Sequence, residues 1–167
     1  MASITVVDTA VYKPTHSFRV LAFGEIKGFV FKIIDYGSHP CAYVGCPLDH
    51  PIATSDGFNV DCHGGLTFAQ LGDGELFDDE LYWVGWDYAH DGDFFLHYDS
   101  NLNPIEGLPG RKWTVFEILD EVKHVIDALH DAYLRFKRGS TRSKKKDEEV
   151  TGIRAYLRNY RVIHPDE

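Results

Sequence analysis

The sequence contains no long apolar run. None of its hydrophobic stretches approaches the roughly 20 residues that would span a bilayer. The opening residues, MASITVVDTAVYK, lack a charged segment followed by a long apolar one, so they do not predict a signal peptide. The three cysteines are an odd number, and without an export signal we expect reduced thiols. These absences predict a cytoplasmic protein with no membrane partner.

Basic residues are scarce in the first two-thirds of the chain. Residues 1–110 contain 16 Asp or Glu and 4 Lys or Arg, for a net charge of −12, whereas residues 111–167 carry +3. Because nucleic-acid binding depends largely on Lys and Arg, we do not expect the acidic part to bind DNA or RNA. The basic run RGSTRSKKK at 138–146 could contact RNA or a partner, although a solvated linker is the simpler interpretation.

Short β-branched and aromatic runs fill the first two-thirds and predict β-strands. Gly, Pro and Asp separate them, which is typical of tight turns between antiparallel strands. No strand alternates with a long helix, so a doubly wound parallel sheet is disfavoured. The predicted strands cover residues 3–13, 17–23, 28–36, 41–46, 65–70 and 80–89.

One long amphipathic helix is predicted from Val115 to Lys137. Thr114 and Glu117 form a capping-box pattern, and apolar residues then recur at steps of three and four. The fold class is therefore α+β, with a mainly antiparallel sheet packed by this helix, and a second short helix is predicted further on. The expected organisation is one domain over 1–138, a basic linker over 139–147 and a helical extension over 148–167, with the short helix at 148–160.

Recognised catalytic motifs are absent. The sequence has no HExxH, no paired CxxC, no phosphate-binding loop and no GxSxG. The cysteines have no evident activating cation, which makes covalent catalysis the weakest enzyme hypothesis. What is present is a concentration of imidazoles, thiols and carboxylates that could bind a metal or transfer protons. Its members are Cys46, His50, Asp61, Cys62, His63, Asp87, His90, Asp91 and Asp93.

Two segments carry most of this chemistry, DCHGGLTFA at 61–69 and WVGWDYAHDGDF at 83–94. The glycine pair after His63 suggests a sharp bend or the close approach of a ligand. In the second segment Asp87 could fix the tautomer of His90. Trp83 and Trp86 offer flat surface for stacking, but they point to opposite faces of a strand, so we expect one to be core. We expect the two segments to meet.

The chain resembles a family of small proteins from phages, prophages and bacteria. The matching pieces are CAYVGCPLDHP (41–51), VDCHGGLTFA (60–69), YWVGWDYAHDGD (82–93) and WTVFEILDEVKHVIDAL (113–129), including the patterns HGGLTF and GWDxAHxGD. The resemblance covers about residues 27–130. It implies a viral origin, hence a place in the host cytoplasm, and a site, but no particular activity. The residues implied to recur are His50, His63, Gly64, Gly65, Asp87, His90 and Asp93.

The leading functional hypothesis is a phage-type accessory protein that binds a small polar, nucleotide-like ligand, as an anti-defence protein sequestering a host signal would. The predicted ligand-binding residues are His50, His63, Gly64, Gly65, Trp86, Asp87, His90 and Asp93. Because the first two-thirds of the chain are acidic, the phosphates of such a ligand would have to bind to backbone amides, to a bridging metal, or to basic residues such as Lys27, Lys32 or Arg111.

Two alternatives stay open. One is a metal-dependent hydrolase with His63, His90 and Asp87 as catalytic groups, in which His50, His63, Asp87 and His90 would hold a divalent metal. The other is a structural or protein-interaction component, and a homo-oligomer is compatible with either. Apart from that divalent metal, no cofactor is predicted.

Overall fold

A computed structural model describes residues 2–15, 17–54, 59–105 and 109–140, except for the side chain of Ser140. The predicted linker and helical extension lie outside these ranges, apart from residues 139 and 140, which belong to the long helix. Among the described residues, no helix is both long and apolar enough to cross a membrane.

Six antiparallel strands form the main sheet, in the spatial order β1-β2-β3-β4-β6-β5. A separate two-stranded hairpin is formed by β7 and β8, which the sequence did not indicate. The strands are β1 (Ala2–Val6), β2 (Arg19–Ile26), β3 (Phe29–Asp35), β4 (Pro40–Pro47), β5 (Phe68–Leu71), β6 (Leu81–Asp87), β7 (His97–Tyr98) and β8 (Pro104–Ile105). The predicted α+β class is confirmed, and each of the six predicted strands has a counterpart.

The helix α1 (Val115–Ser140) packs on β2, β3 and β4. It begins where the sequence predicts, because Glu117 N donates to Thr114 Oγ1 at 3.2 Å and Thr114 N donates to Glu117 Oε1 at 3.3 Å. This reciprocal pair is the capping box. The helix continues three residues beyond the predicted end at Lys137.

Both faces of the central sheet are covered. The apolar stripe of α1, including Val122 and Ile126, covers one face together with Trp86. The other face packs Tyr43 and Trp83 under Phe77 from the β5–β6 connection. Trp83 and Trp86 therefore point to opposite faces, as predicted, but both are buried with 1% of their surface exposed. Our expectation that one of the two would be core is therefore corrected: both are core, because Phe77 and its neighbours cover the face of the sheet opposite α1.

Candidate functional site

The strand order brings the two chemistry-bearing segments to the same edge of the sheet. In the antiparallel pair β5–β6, Phe68 lies opposite Gly85, so the entry into β5 is beside the exit from β6. Gly64 and Gly65 make the turn into β5 with φ angles of 68° and 80°, which glycine adopts without steric cost. His63 and the residues that follow Asp87 are consequently neighbours.

His63 and Asp93 form a close side-chain pair at this edge. His63 Nε2 lies 2.6 Å from Asp93 Oδ2, which also accepts from His90 N at 3.0 Å. The other carboxylate oxygen accepts from Trp113 Nε1 at 2.9 Å. Burial alone would raise the pKa of Asp93, but the hydrogen bonds from His63, Trp113 and His90 N lower it below its usual value. Asp93, with 6% of its surface exposed, is therefore an ionised carboxylate at neutral pH.

Packing holds the His63 ring from two sides. The ring stacks on Tyr88 with a centroid distance of 4.8 Å and an interplanar angle of 7°, and Trp113 packs edge-on at 4.9 Å. Glu121 of α1 accepts from His63 N and, at 2.7 Å, from the Tyr88 hydroxyl. Tyr88 in turn accepts from Trp86 Nε1 at 3.0 Å. The helix thereby fixes both the backbone and the stacking partner of His63.

His90 lies next to His63, with their ring centroids 5.4 Å apart. Its Nε2 atom is buried and lies 3.2 Å from Asp87 Oδ1, which is within ion-pair distance. The two groups are not oriented for a hydrogen bond, so Nε2 has no hydrogen-bond partner. Thr67 Oγ1 donates to the other Asp87 oxygen at 3.1 Å. The backbone at Gly64 passes directly over the His90 ring, because a Cβ placed there would lie 2.0 Å from Nε2. The site therefore has room for glycine alone at this position.

The hydrogen bond to Asp93 assigns the tautomer of His63. Because Asp93 is ionised and can only accept, His63 carries its proton on Nε2 and keeps the lone pair on Nδ1. Within the described residues, neither Nδ1 atom has a hydrogen bond, and neither is among the fully buried atoms without a partner, which are Arg19 Nε and His90 Nε2. Both Nδ1 atoms are therefore at least partly accessible. The side chains of His63 and His90 are 23% and 33% exposed.

His50 is placed elsewhere, which corrects our expectation that it joins the site. Its ring is fully buried, accepting from Ile52 N at 3.0 Å through Nδ1 and donating to Leu129 O at 2.7 Å through Nε2. Leu129 is eight residues beyond Glu121 on α1, about 12 Å along the axis. Both ring nitrogens are engaged, so His50 secures the helix and offers no lone pair to a ligand or metal.

Trp86 also has a supporting position. Since its indole is core, it acts on the site through its bond to the Tyr88 hydroxyl and presents no stacking surface. The aromatic rings that do contact His63 are Tyr88 and Trp113, which the sequence reasoning missed, together with Glu121. A signal for Glu121 was present: it lies three residues after Ile118 and four before Val125, so it is a carboxylate beside the apolar stripe.

The predicted metal ligands His50, His63, Asp87 and His90 are not assembled into one cluster. Among the residues that the structure describes, no group of three or more His, Cys, Asp or Glu is placed to hold a metal ion. Burial, followed by the neighbouring Glu121 and Asp61, raises the pKa of Cys62 to about 11, so this thiol is protonated at neutral pH. Cys46 is fully buried, and burial raises its pKa as well.

Comparison with protein-family models, curated proteins and solved structures finds no match. The site is therefore interpreted from its own geometry.

One of the three candidate basic residues lies at this site. The guanidinium of Arg111 is 3.6 Å from the centroid of the Trp113 ring, which itself packs on His63, and it pairs with Glu117. Lys27 instead pairs with Asp127 at 2.7 Å on the exposed side of α1. Lys32 lies against the core cluster on the opposite face of the sheet, 5.8 Å from the Trp83 ring.

A cavity of about 200 Å³ lies on that opposite face, lined by residues that include Phe23, Val30, Lys32 and Trp83. Its walls are mainly apolar; Lys32 and Asp78 are its charged lining residues, and the lining contains no histidine. We place the functional site at the His63–His90 edge, because fixed titratable groups indicate chemistry better than an apolar depression does.

Proposed function

We propose that the protein binds a small polar ligand at the His63–His90 edge, with a nucleotide-like molecule as the leading candidate. One observation carries the proposal. Two adjacent, partly exposed imidazoles each have a carboxylate beside Nε2 and leave Nδ1 without a partner among the described residues. Groups held in this way can hydrogen-bond a ligand with little loss of conformational freedom, which favours affinity.

The surroundings of the pair support a ligand with a ring and a negative charge. Trp113 packs on His63 and carries the Arg111 guanidinium on its face, so aromatic and cationic groups adjoin the imidazoles. Arginine recognises phosphate through several donors in a fixed plane. If the resemblance to phage proteins holds, such binding would let the protein sequester a nucleotide signal in the host cytoplasm.

The binding test uses AMP and 3′,5′-cyclic AMP as probes with the full chain. We expect either nucleotide to shift the ring NMR resonances of His63 and His90, and to bind the His63→Gln variant at least tenfold more weakly. His124→Gln is the matched control, because His124 is an exposed histidine of α1. Equal affinity for both variants, or no shift with either nucleotide, would refute the proposal.

A metal-dependent hydrolase is the second candidate. The observation in its favour is that metal-bound histidines usually donate their other ring nitrogen to a carboxylate, as His63 does to Asp93. His63 and His90 would supply two ligands, and Asp87 would support His90. Zn²⁺ titration separates the candidates: a stoichiometric site lost in His63→Gln favours the hydrolase, and nucleotide binding in the presence of EDTA favours the binder.

A further inference from the structure

Ligand binding alone leaves the elaborate support of His63 unexplained. An imidazole that only donates or accepts one hydrogen bond needs no ionised carboxylate behind it. Asp93 has three donors on its two oxygens, from His63, His90 N and Trp113, and it is nearly buried. A carboxylate fixed in this way stabilises the imidazolium that forms when Nδ1 takes a proton. His63 is therefore arranged to act as a general base.

The second imidazole has a different environment. His63 makes a short hydrogen bond to its carboxylate, whereas His90 Nε2 approaches Asp87 without one and is packed against the Gly64 backbone. Two neighbouring titratable groups in different environments can divide the acid and base roles of one reaction. With centroids 5.4 Å apart, the two rings can contact the same small reacting group.

The charges around the two imidazoles favour one class of phosphate ligand. Arg111 on Trp113 pairs with Glu117 through one guanidinium nitrogen, and its remaining donors together with an imidazolium can hold one phosphate oxygen. The first 110 residues nevertheless carry a net charge of −12, which opposes a polyanion. A phosphodiester bears a single negative charge and fits this balance better than a phosphomonoester or a polyphosphate.

We infer that the His63–His90 pair hydrolyses a phosphodiester by general acid–base catalysis, an inference that rests on the ligand-binding proposal. His63 Nδ1 accepts a proton from water while the water oxygen bonds to phosphorus. The bond from phosphorus to the leaving oxygen breaks, and His90 gives that oxygen its Nδ1 proton. The products are a phosphomonoester and an alcohol. Proton exchange with solvent then returns neutral His63 and protonated His90.

The test measures hydrolysis by the full chain in EDTA with two probes, bis(4-nitrophenyl) phosphate and 3′,5′-cyclic AMP. We expect His63→Gln to lose at least about 100-fold in kcat/KM on both probes, because general bases contribute about 10²–10⁴-fold. His90→Gln should lose much more with cyclic AMP, whose leaving alkoxide needs a proton, than with the nitrophenolate, which does not. His124→Gln should retain full activity.

Binding of dimethyl phosphate, followed by the NMR shifts of His63 and His90, separates the two proposals. If the wild-type protein binds dimethyl phosphate or cyclic AMP and hydrolyses neither probe, the catalytic inference fails and the binding proposal stands. If it neither binds nor hydrolyses them, the catalytic inference fails, and the binding proposal fails with it when AMP does not bind either. Activity that EDTA abolishes, or that His63→Gln retains, also overturns the inference.

Discussion

The His50→Ala variant should lose about 3 kcal/mol of unfolding free energy, although His50 is outside the candidate site. The ring joins the 3-10 turn at Pro51–Ala53 to the middle of α1 through its bond to Leu129 O, and it stacks on Tyr133 with a centroid distance of 5.5 Å. Truncation leaves a cavity and removes the acceptor of Ile52 N, a buried donor. Urea denaturation followed by tryptophan fluorescence measures the loss.

The matched control is His124→Ala, an exposed position on the same helix, where the change should stay within about 0.5 kcal/mol. A loss below about 1 kcal/mol for His50→Ala would show that the ring does not hold the helix.

The same burial predicts an acid-sensitive stability. Burial lowers the pKa of His50 in the folded protein, although Leu129 O and Asp49 oppose the shift. The pKa of His50 in the unfolded chain is about 6.5. Below that pH, the unfolded chain therefore binds a proton at His50 more readily than the folded chain does. This stability is fully present well above the unfolded pKa of about 6.5 and is lost as the pH falls from there through the lower pKa of the folded protein. His39, whose pKa burial also lowers, contributes in the same direction, and His50→Ala should make the dependence shallower.

Gly64→Ala should displace His90, whereas Gly65→Ala should leave it in place. Both glycines have positive φ, so each substitution adds backbone strain of about 1–2 kcal/mol. Only at Gly64 does the new Cβ meet a side chain, since it would lie 2.0 Å from His90 Nε2, while at Gly65 nothing lies within 4 Å. Comparing the two variants therefore separates the effect of backbone strain, which both share, from the displacement of His90, which only Gly64→Ala causes.

We expect the His90 ring resonances to move strongly in Gly64→Ala and little in Gly65→Ala, with cyclic AMP binding weakened at least tenfold in the first variant. Urea denaturation should give comparable stability losses for both. Equal perturbation of His90 by the two substitutions would contradict the close packing of Gly64 on its ring.

Local patterns predicted the parts of the fold that depend on neighbours in sequence. The Thr114–Glu117 capping box placed the first residue of α1, because both partners lie within one turn. Runs of β-branched and aromatic residues between turn residues located the six strands. The position of β6 between β4 and β5 could not be read in the same way, since strand order depends on long-range packing. That order is nonetheless what brings His63 to His90.

The candidate site was predicted only in part, because some of its residues are close together in sequence and others are brought together by long-range packing. His63, Asp87, His90 and Asp93 lie in two short segments whose histidines and glycines are visible in the sequence, and the structure brings these four together. His50 looked equivalent by residue type, but its partner Leu129 O is 79 positions away and is a backbone atom. No residue-type pattern marks a helix carbonyl as the partner of a distant imidazole.

Long-range ¹H–¹⁵N NMR of the histidine rings at pH 7.5 tests the central claim, that His63 and His90 form one site oriented by buried Asp93. The geometry predicts that neutral His63 carries its proton on Nε2 and shows nuclear Overhauser contacts to the rings of both His90 and Tyr88. A His63 protonated on Nδ1, or one without contacts to His90, would contradict it.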